Sequence, residues 1–215
     1  FRRVLFRSLD YMRLNNTDAA GDSGYTAPTS TVFTNPGNTN NFIYYSFVSV
    51  GGFSKISKYT GNGSANGPMV ETGFEPAFLL IKRTNTTDNW YMVDNKRNAS
   101  NPREATLFAN LTDTEYATYG AKVDFFSNGF KIITTDGVTN ASGSTYLYMA
   151  FAGDPDTVVP TKAKSFNAAT YTGTGSGGNS ITGLGFEPSL LWLKSRSGAV
   201  GNFSHTLMDT IRGAS

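Results

Sequence analysis

The sequence predicts an all-β chain, built as tandem antiparallel β-sandwich repeats of jelly-roll-like style. Three observations lead there. Short runs rich in Val, Ile, Tyr, Phe and Thr alternate with Gly, Asn, Asp and Ser clusters, with turn signals every ~8–12 residues. Charged residues make up only 16% of the 215-residue chain, and Gly is abundant, a mixture that suits strands and turns better than helices. Finally, the run Tyr59-Thr60-Gly61-Asn62-Gly63-Ser64, followed by Gly73-Phe74-Glu75-Pro76, returns as Tyr171-Thr172-Gly173-Thr174-Gly175-Ser176 and Gly185-Phe186-Glu187-Pro188, both 112 residues on. A repeat of that length is a small domain in itself.

Taken in order, residues 1–8 match an in-frame translation of a common sequencing-library adapter and are set aside as a scar. Arg2, Arg3 and Arg7 lie in it, so removing three charges from +2 leaves −1. The basic balance then says nothing about nucleic acid or membrane partners. Residues 9–51 read as the C-terminal half of a first repeat, with Leu14-Asn15-Asn16-Thr17-Asp18 corresponding to Ala109-Asn110-Leu111-Thr112-Asp113, an offset of 95. The run Phe42-Ile43-Tyr44-Tyr45-Ser46-Phe47 likewise corresponds to Tyr146-Leu147-Tyr148-Met149-Ala150-Phe151.

Residues 53–151 form the complete repeat. Strands are expected at 54–60, 77–83, 89–94, 105–109, 121–126, 129–134 and 145–152. The 77–83 strand is apolar on both alternating faces, Phe78 and Leu80 against Leu79 and Ile81, which marks a central strand covered on both sides. Lys82 and Arg83 mark its emergence into water. Ser127-Asn128-Gly129 is a tight hairpin signal, and only 111–118 offers a turn of helix. Residues 152–164 hold Pro155 and Pro160 without periodicity and read as a linker. Residues 165–215 are the N-terminal half of a third repeat, where His205-Thr206-Leu207-Met208-Asp209 matches Trp90-Tyr91-Met92-Val93-Asp94 at an offset of 115. On this reading the chain is cut at both ends.

Candidate chemistry is sparse. With no cysteine and a single histidine, thiolate metal sites are absent and a zinc site is not expected. His205 with Ser204 and Asp209 suggests a hydrolase triad, yet Trp90 occupies the matching position, so a strand residue near a sheet edge is the simpler reading. Glu75 and Glu187 recur before proline as solvated turn carboxylates rather than a glycosidase pair. Asp113 and Glu115 fit the polar face of a helical turn. Asp136-Gly137 with Asn140 and Ser142 offers oxygen ligands for calcium, without the spacing of a dedicated loop, so a hairpin is expected. Gly61-Asn62-Gly63 precedes no helix pattern and fails as a phosphate cradle. The strongest binding candidate is Asp88, Asn89, Trp90 and Tyr91, where rings could stack on a sugar while amides bond its hydroxyls, although core packing is the expected role of most of these rings.

The runs Tyr-Thr-Gly-x-Gly-Ser, Gly-Phe-x-Pro with an apolar strand ending in Lys, and Asp209-x-x-Arg212-Gly213-Ala214 resemble a repeat domain of marine bacteriophage tail-fibre-like proteins, often found with SPRY or laminin-G-like sandwich domains. Thr26-Ala27-Pro28-Thr29-Ser30-Thr31-Val32-Phe33 and Asn128-Gly129-Phe130-Lys131 resemble its inner segments. The resemblance implies an extracellular virion appendage, a homo-oligomer, expected as a trimer, that meets a host cell-surface glycan or envelope protein. The expected function is therefore a structural and host-receptor-binding, glycan-binding repeat of a phage tail fibre, without catalysis, cofactor, metal, nucleic acid or membrane insertion. A polysaccharide depolymerase and a passive fibre spacer are the alternatives.

Overall fold

The chain is all-β, with several antiparallel sheets, as described by a computed structural model covering residues 10–22, 46–153, 168–174, 180–182, 184, 188, 190–195 and 205–209. Before residue 53 come β1 (Asp10–Tyr11) and β2 (Gly21–Asp22), paired with each other. Then follow β3 (Ser54–Thr60), β4 (Met69–Glu71), β5 (Pro76–Arg83), β6 (Tyr91–Asp94), β7 (Leu107–Phe108), β8 (Val123–Phe126) and β9 (Gly129–Ile132). The helical turn α1 (Gly137–Asn140) precedes β10 (Thr145–Ala152), and β11 (Leu190–Leu193) and β12 (Thr206–Asp209) lie beyond.

Two sheets face each other in the 53–152 region. One has the order β3-β10-β5-β6-β7 and the other β4-β9-β8. The alternation of strand side chains places Leu79, Ile81, Tyr91, Val93, Phe108, Tyr146, Tyr148 and Ala150 on the inner face of the larger sheet, against Val70, Val123, Phe125, Phe130 and Ile132. Tyr59 stacks on Tyr146 at 5.0 Å between ring centres, and Phe130 meets Tyr148 edge-on at 5.2 Å. Leu80, Met92 and Leu107, one residue out of phase, form a second cluster on the outer face with Trp90 and Ala109. β5 is thus central and apolar on both sides, as its sequence requires.

The local signals explain the turns. Ser127-Asn128 closes the β8–β9 hairpin, with Phe126 opposite Gly129. The Gly-Phe-Glu-Pro corner works through its glycine: Gly73 has φ +86° and donates, with Thr72, to the Asn128 carbonyl, while Phe74 drops into the core and Glu75 stays exposed.

Several expectations need correction. Strands at 89–94, 105–109, 121–126 and 129–134 are shorter than their patterns suggested, because ladder pairing ends before apolar burial does. Residues 111–118 form no helix. That segment is held extended by a bridge between Thr106 and Tyr116, and Glu115 is drawn to Arg97 at 3.3 Å. The helical turn is instead Gly137–Asn140, where a hairpin was expected, and the Asp136 side chain caps it by accepting from the Val138 amide. Lys82 does not emerge into water but is fully buried. Residues 42–45, the linker beyond Gly153, and the 185–187 corner with Glu187 lie outside the described residues.

Candidate functional site

The Tyr-Thr-Gly-x-Gly-Ser run is a clasp around α1. Asn140 is fully buried, and its amide nitrogen donates to Asn62 Oδ1 (3.1 Å), Ser64 O (2.8 Å) and Thr134 O (2.7 Å), while its Oδ1 accepts from Asn62 N (2.9 Å). Gly61 is required because a Cβ there would press into the Ala141 carbonyl oxygen. Tyr59 and Tyr146 donate to the Thr139 and Gly137 carbonyls from below. Of the oxygens considered for calcium, Asp136 Oδ1 is therefore spent on a helix cap and Asn140 Oδ1 on a buried amide network, while Ser142 is exposed. Among the described residues no His, Cys, Asp and Glu cluster is able to hold a metal ion.

The proposed stacking platform is not available as a surface. Tyr91 is 0% exposed, part of the inner core, and donates to Ala121 O at 3.2 Å; burial raises its phenol well above the ordinary range. Trp90 is 7% exposed, in the outer-face cluster, and its Nε1–H donates to Arg13 O at 3.0 Å. Asp88 and Asn89 are half-buried. Asp88 accepts from the Asn89 amide and pairs with Arg83 at 3.9 Å; burial, the largest influence, pushes its carboxyl up. Asn89 Oδ1 accepts from Asn110 Nδ2 at 2.8 Å. The four residues are contiguous in chain but face three different environments, so no single sugar-sized surface unites them.

Segment 12–20 packs beside that group. Its Met12 lies against the outer-face cluster. Lys82 Nζ donates to Thr17 O (3.3 Å) and Arg83 O (2.7 Å), and Asp88 N donates to Thr17 O (2.8 Å). Burial lowers the Lys82 ammonium, with Asp88 and Asp18 pulling it back up. From the other side, Trp192 joins the same cluster. Its Nε1–H donates to His205 Nδ1 at 2.7 Å, and His205 Nε2 lies 3.0 Å from Phe108 O. Since Nδ1 accepts, the proton sits on Nε2 and is donated to Phe108. Lys194 Nζ donates to Leu111 O at 3.3 Å. His205 is therefore committed to packing, and Ser204 lies outside the described residues.

Two of the described carboxylates share one guanidinium. Asp94 and Glu115 come together on Arg97, at 2.5 and 3.3 Å, with all three side chains nearly buried. The Arg97 Nε–H is donated to Asp94 Oδ2 and an Nη1–H to Glu115 Oε2, so one guanidinium ties the two carboxylates together.

An open cleft lies where the sheets fail to match in width. The five-stranded sheet outspans the three-stranded one by two strands, roughly 10 Å, and on the β3 side part of that difference is uncovered. The cleft, about 550 Å³, runs between the edge strands β3 and β4 and is lined by Lys55, Ser57, Lys58 and Glu71, with Tyr59 and Tyr148 at its floor. Lys55 and Ser57 share the inward parity of Tyr59, which explains polar residues on a core-facing row. Nothing in the sequence pattern singled this cleft out, because an edge strand with alternating Lys and Tyr also reads as a solvated edge.

Among the described residues no helix is long and apolar enough to cross a membrane. No curated protein and no solved structure matches the chain. The family described as "Domain of unknown function (DUF7483)" matches residues 2–155 and 161–215, a span that takes in most of the stretch read as adapter and resumes after residue 160. With nearly its whole length matched, the chain belongs to the DUF7483 family.

Proposed function

We propose that this protein is a non-enzymatic, tandem-repeat structural module of a phage tail-fibre-like appendage, and that it meets host cell-surface glycan through the cleft between β3 and β4. One observation carries the repeat reading. β5 and β6 pair Phe78 with Asp94, Leu79 with Val93, Leu80 with Met92 and Ile81 with Tyr91. β11 and β12 pair Leu190 with Asp209, Leu191 with Met208, Trp192 with Leu207 and Leu193 with Thr206. Under the sequence offsets of 112 and 115 these are the same four pairs. A one-residue slip would have inverted every side chain, so the agreement favours a copied unit.

The glycan role rests on the cleft's chemistry. Two ammonium groups, a hydroxyl and a carboxylate on an open, shallow wall suit weak hydrogen bonding to sugar hydroxyls and acidic sugars, and weak sites multiplied along an extracellular trimer would add up. The test is binding of the chain, fused to a trimerising tag, to arrays of neutral and acidic bacterial surface polysaccharides, beside Lys55→Glu/Lys58→Glu. Binding to acidic glycans that this charge reversal abolishes supports the reading. Absence of binding to any glycan or host envelope would leave a spacer, and release of reducing ends would establish a depolymerase instead.

A further inference from the structure

We propose that the contacts of segment 12–20 with the β5–β6 region, and of the β11–β12 region with segment 107–113, are one interface used twice, and that the partner this surface takes is another copy of the module. The inference rests on the repeat reading and extends it from the fold of a unit to the joint between units.

Four correspondences carry it, each under the sequence offsets of 95, 112 and 115. Trp90 and His205 are equivalent positions, and so are Arg13 and Phe108. Trp90 Nε1–H donates to Arg13 O and His205 Nε2–H to Phe108 O, both at 3.0 Å. Lys82 and Lys194 are equivalent, and their ammonium groups donate to Thr17 O and Leu111 O, both at 3.3 Å, carbonyls one position apart in register. Asp18 and Asp113 are equivalent, and each favours the charged form of the lysine at its own joint, Asp113 alone at Lys194 and Asp18 after Asp88 at Lys82. Met12 and Leu107 are equivalent, as are Leu80 and Trp192, and all four belong to the outer-face apolar layer.

The joint is therefore heterologous. One surface, made of the ring at 90 or 205, the lysine at 82 or 194 and the apolar residue at 80 or 192, meets a different surface, the carbonyl-lined strand exit at 12–18 or 107–113. Such a contact propagates from copy to copy rather than closing as a symmetric pair. It also explains why Lys82 is buried at the end of a strand. The exit carbonyls need donors, and a buried ammonium supplies them without a ladder partner.

The two joints differ at one linked pair. Where the first has Leu80 with Trp90, the second has Trp192 with His205. An indole at 192 needs an acceptor for its N–H, and imidazole Nδ1 supplies it while Nε2 still caps Phe108. A leucine needs none, so tryptophan serves at 90. The pair should exchange as a unit.

The experiment is hydrogen exchange of the β11–β12 amides in the full chain and in Trp192→Leu, His205→Trp and the double variant. Each single substitution strands one half-buried polar group and is expected to speed exchange about tenfold. The double variant rebuilds the Leu–Trp joint and should return to within about threefold of the parent. Additive losses in the double variant would overturn the equivalence of the joints. Cross-strand NOEs between Leu190 and Asp209, and between Phe78 and Asp94, are read in parallel. If they persist while rescue fails, the joint inference falls and the repeat stands; if they are absent from the parent chain, the repeat reading itself falls.

Discussion

The β5–β6 and β11–β12 hairpins share one register and differ in what surrounds them. β5 lies between β10 and β6, and Leu79, Leu80 and Ile81 are all nearly fully buried. β11 pairs with β12, and all four of its residues are half-buried. Pairing in a hairpin is local and is set by its own strands, whereas burial depends on sheets supplied from elsewhere in the chain. The contrast separates what a repeated sequence specifies alone from what the neighbouring strands add.

The largest effect should come from truncating the equivalent core positions. Ile81→Ala removes a fully buried side chain from between two sheets and is expected to cost about 2–5 kcal/mol. Leu193→Ala, at the matching place in β11, removes a half-buried one and should cost about 1 kcal/mol. Urea unfolding of the two variants measures the difference. Equal losses would mean that β11 sits in a core as complete as that of β5, and the contrast would be gone.

A smaller and sharper effect is expected at the glycines. A Cβ at Gly61 collides with backbone of the α1 exit, while one at Gly173 meets nothing within 4 Å among the described residues. Gly61→Ala should destabilise by about 1–3 kcal/mol through overpacking. Gly173→Ala should be neutral, or stabilise by up to about 0.5 kcal/mol through the unfolded chain. Thermal unfolding decides it, and a Gly173→Ala cost matching that of Gly61→Ala would show a clasp around a second helical turn.

These pairs also show which parts of the fold were legible. β5 could be read because its two apolar faces are written in consecutive residues. The Asn128 hairpin and the Gly73 corner were equally local. Gly61 looked like a turn glycine, since its partners Asn140 and Ala141 are nearly eighty residues away and no local pattern marks them. Lys82 looked like an exit to water because a lysine ending a strand normally is one. What covers it is segment 12–20, and a sequence does not state which loop lands on which strand end. Its recurrence as Lys194 was the available signal. Trp90 beside Asp88 and Asn89 has the composition of a sugar platform and of a polar-capped joint alike, and only the position of Arg13 O separates the two. The cleft had no signal, because it arises from a mismatch in strand number between two sheets.

The smallest expected effect is on pH, and it concerns the histidine of the second joint. Burial, the largest influence, holds the His205 imidazole below its ordinary value of 6.5, Lys194 adds like-charge repulsion, and the Phe108 carbonyl partly opposes both. As the pH falls through 6.5 the unfolded chain takes up a proton that the folded chain does not, so stability is lost across the window between the ordinary value and the lower folded one. The geometry gives the same sign: a proton on Nδ1 would face the Trp192 N–H, donor against donor. Trp90 cannot titrate, and the acid of the first joint, Asp88, is pushed up by burial and so acts with the opposite sign as the pH falls. Lowering the pH from 7.5 to 5.5 should therefore speed β11–β12 amide exchange, corrected for intrinsic rates, relative to β5–β6. The difference should vanish in the Trp192→Leu/His205→Trp variant. An equal acceleration in both hairpins would place the titrating group in the shared core, and the two joints would no longer be told apart by their ring at 90 and 205.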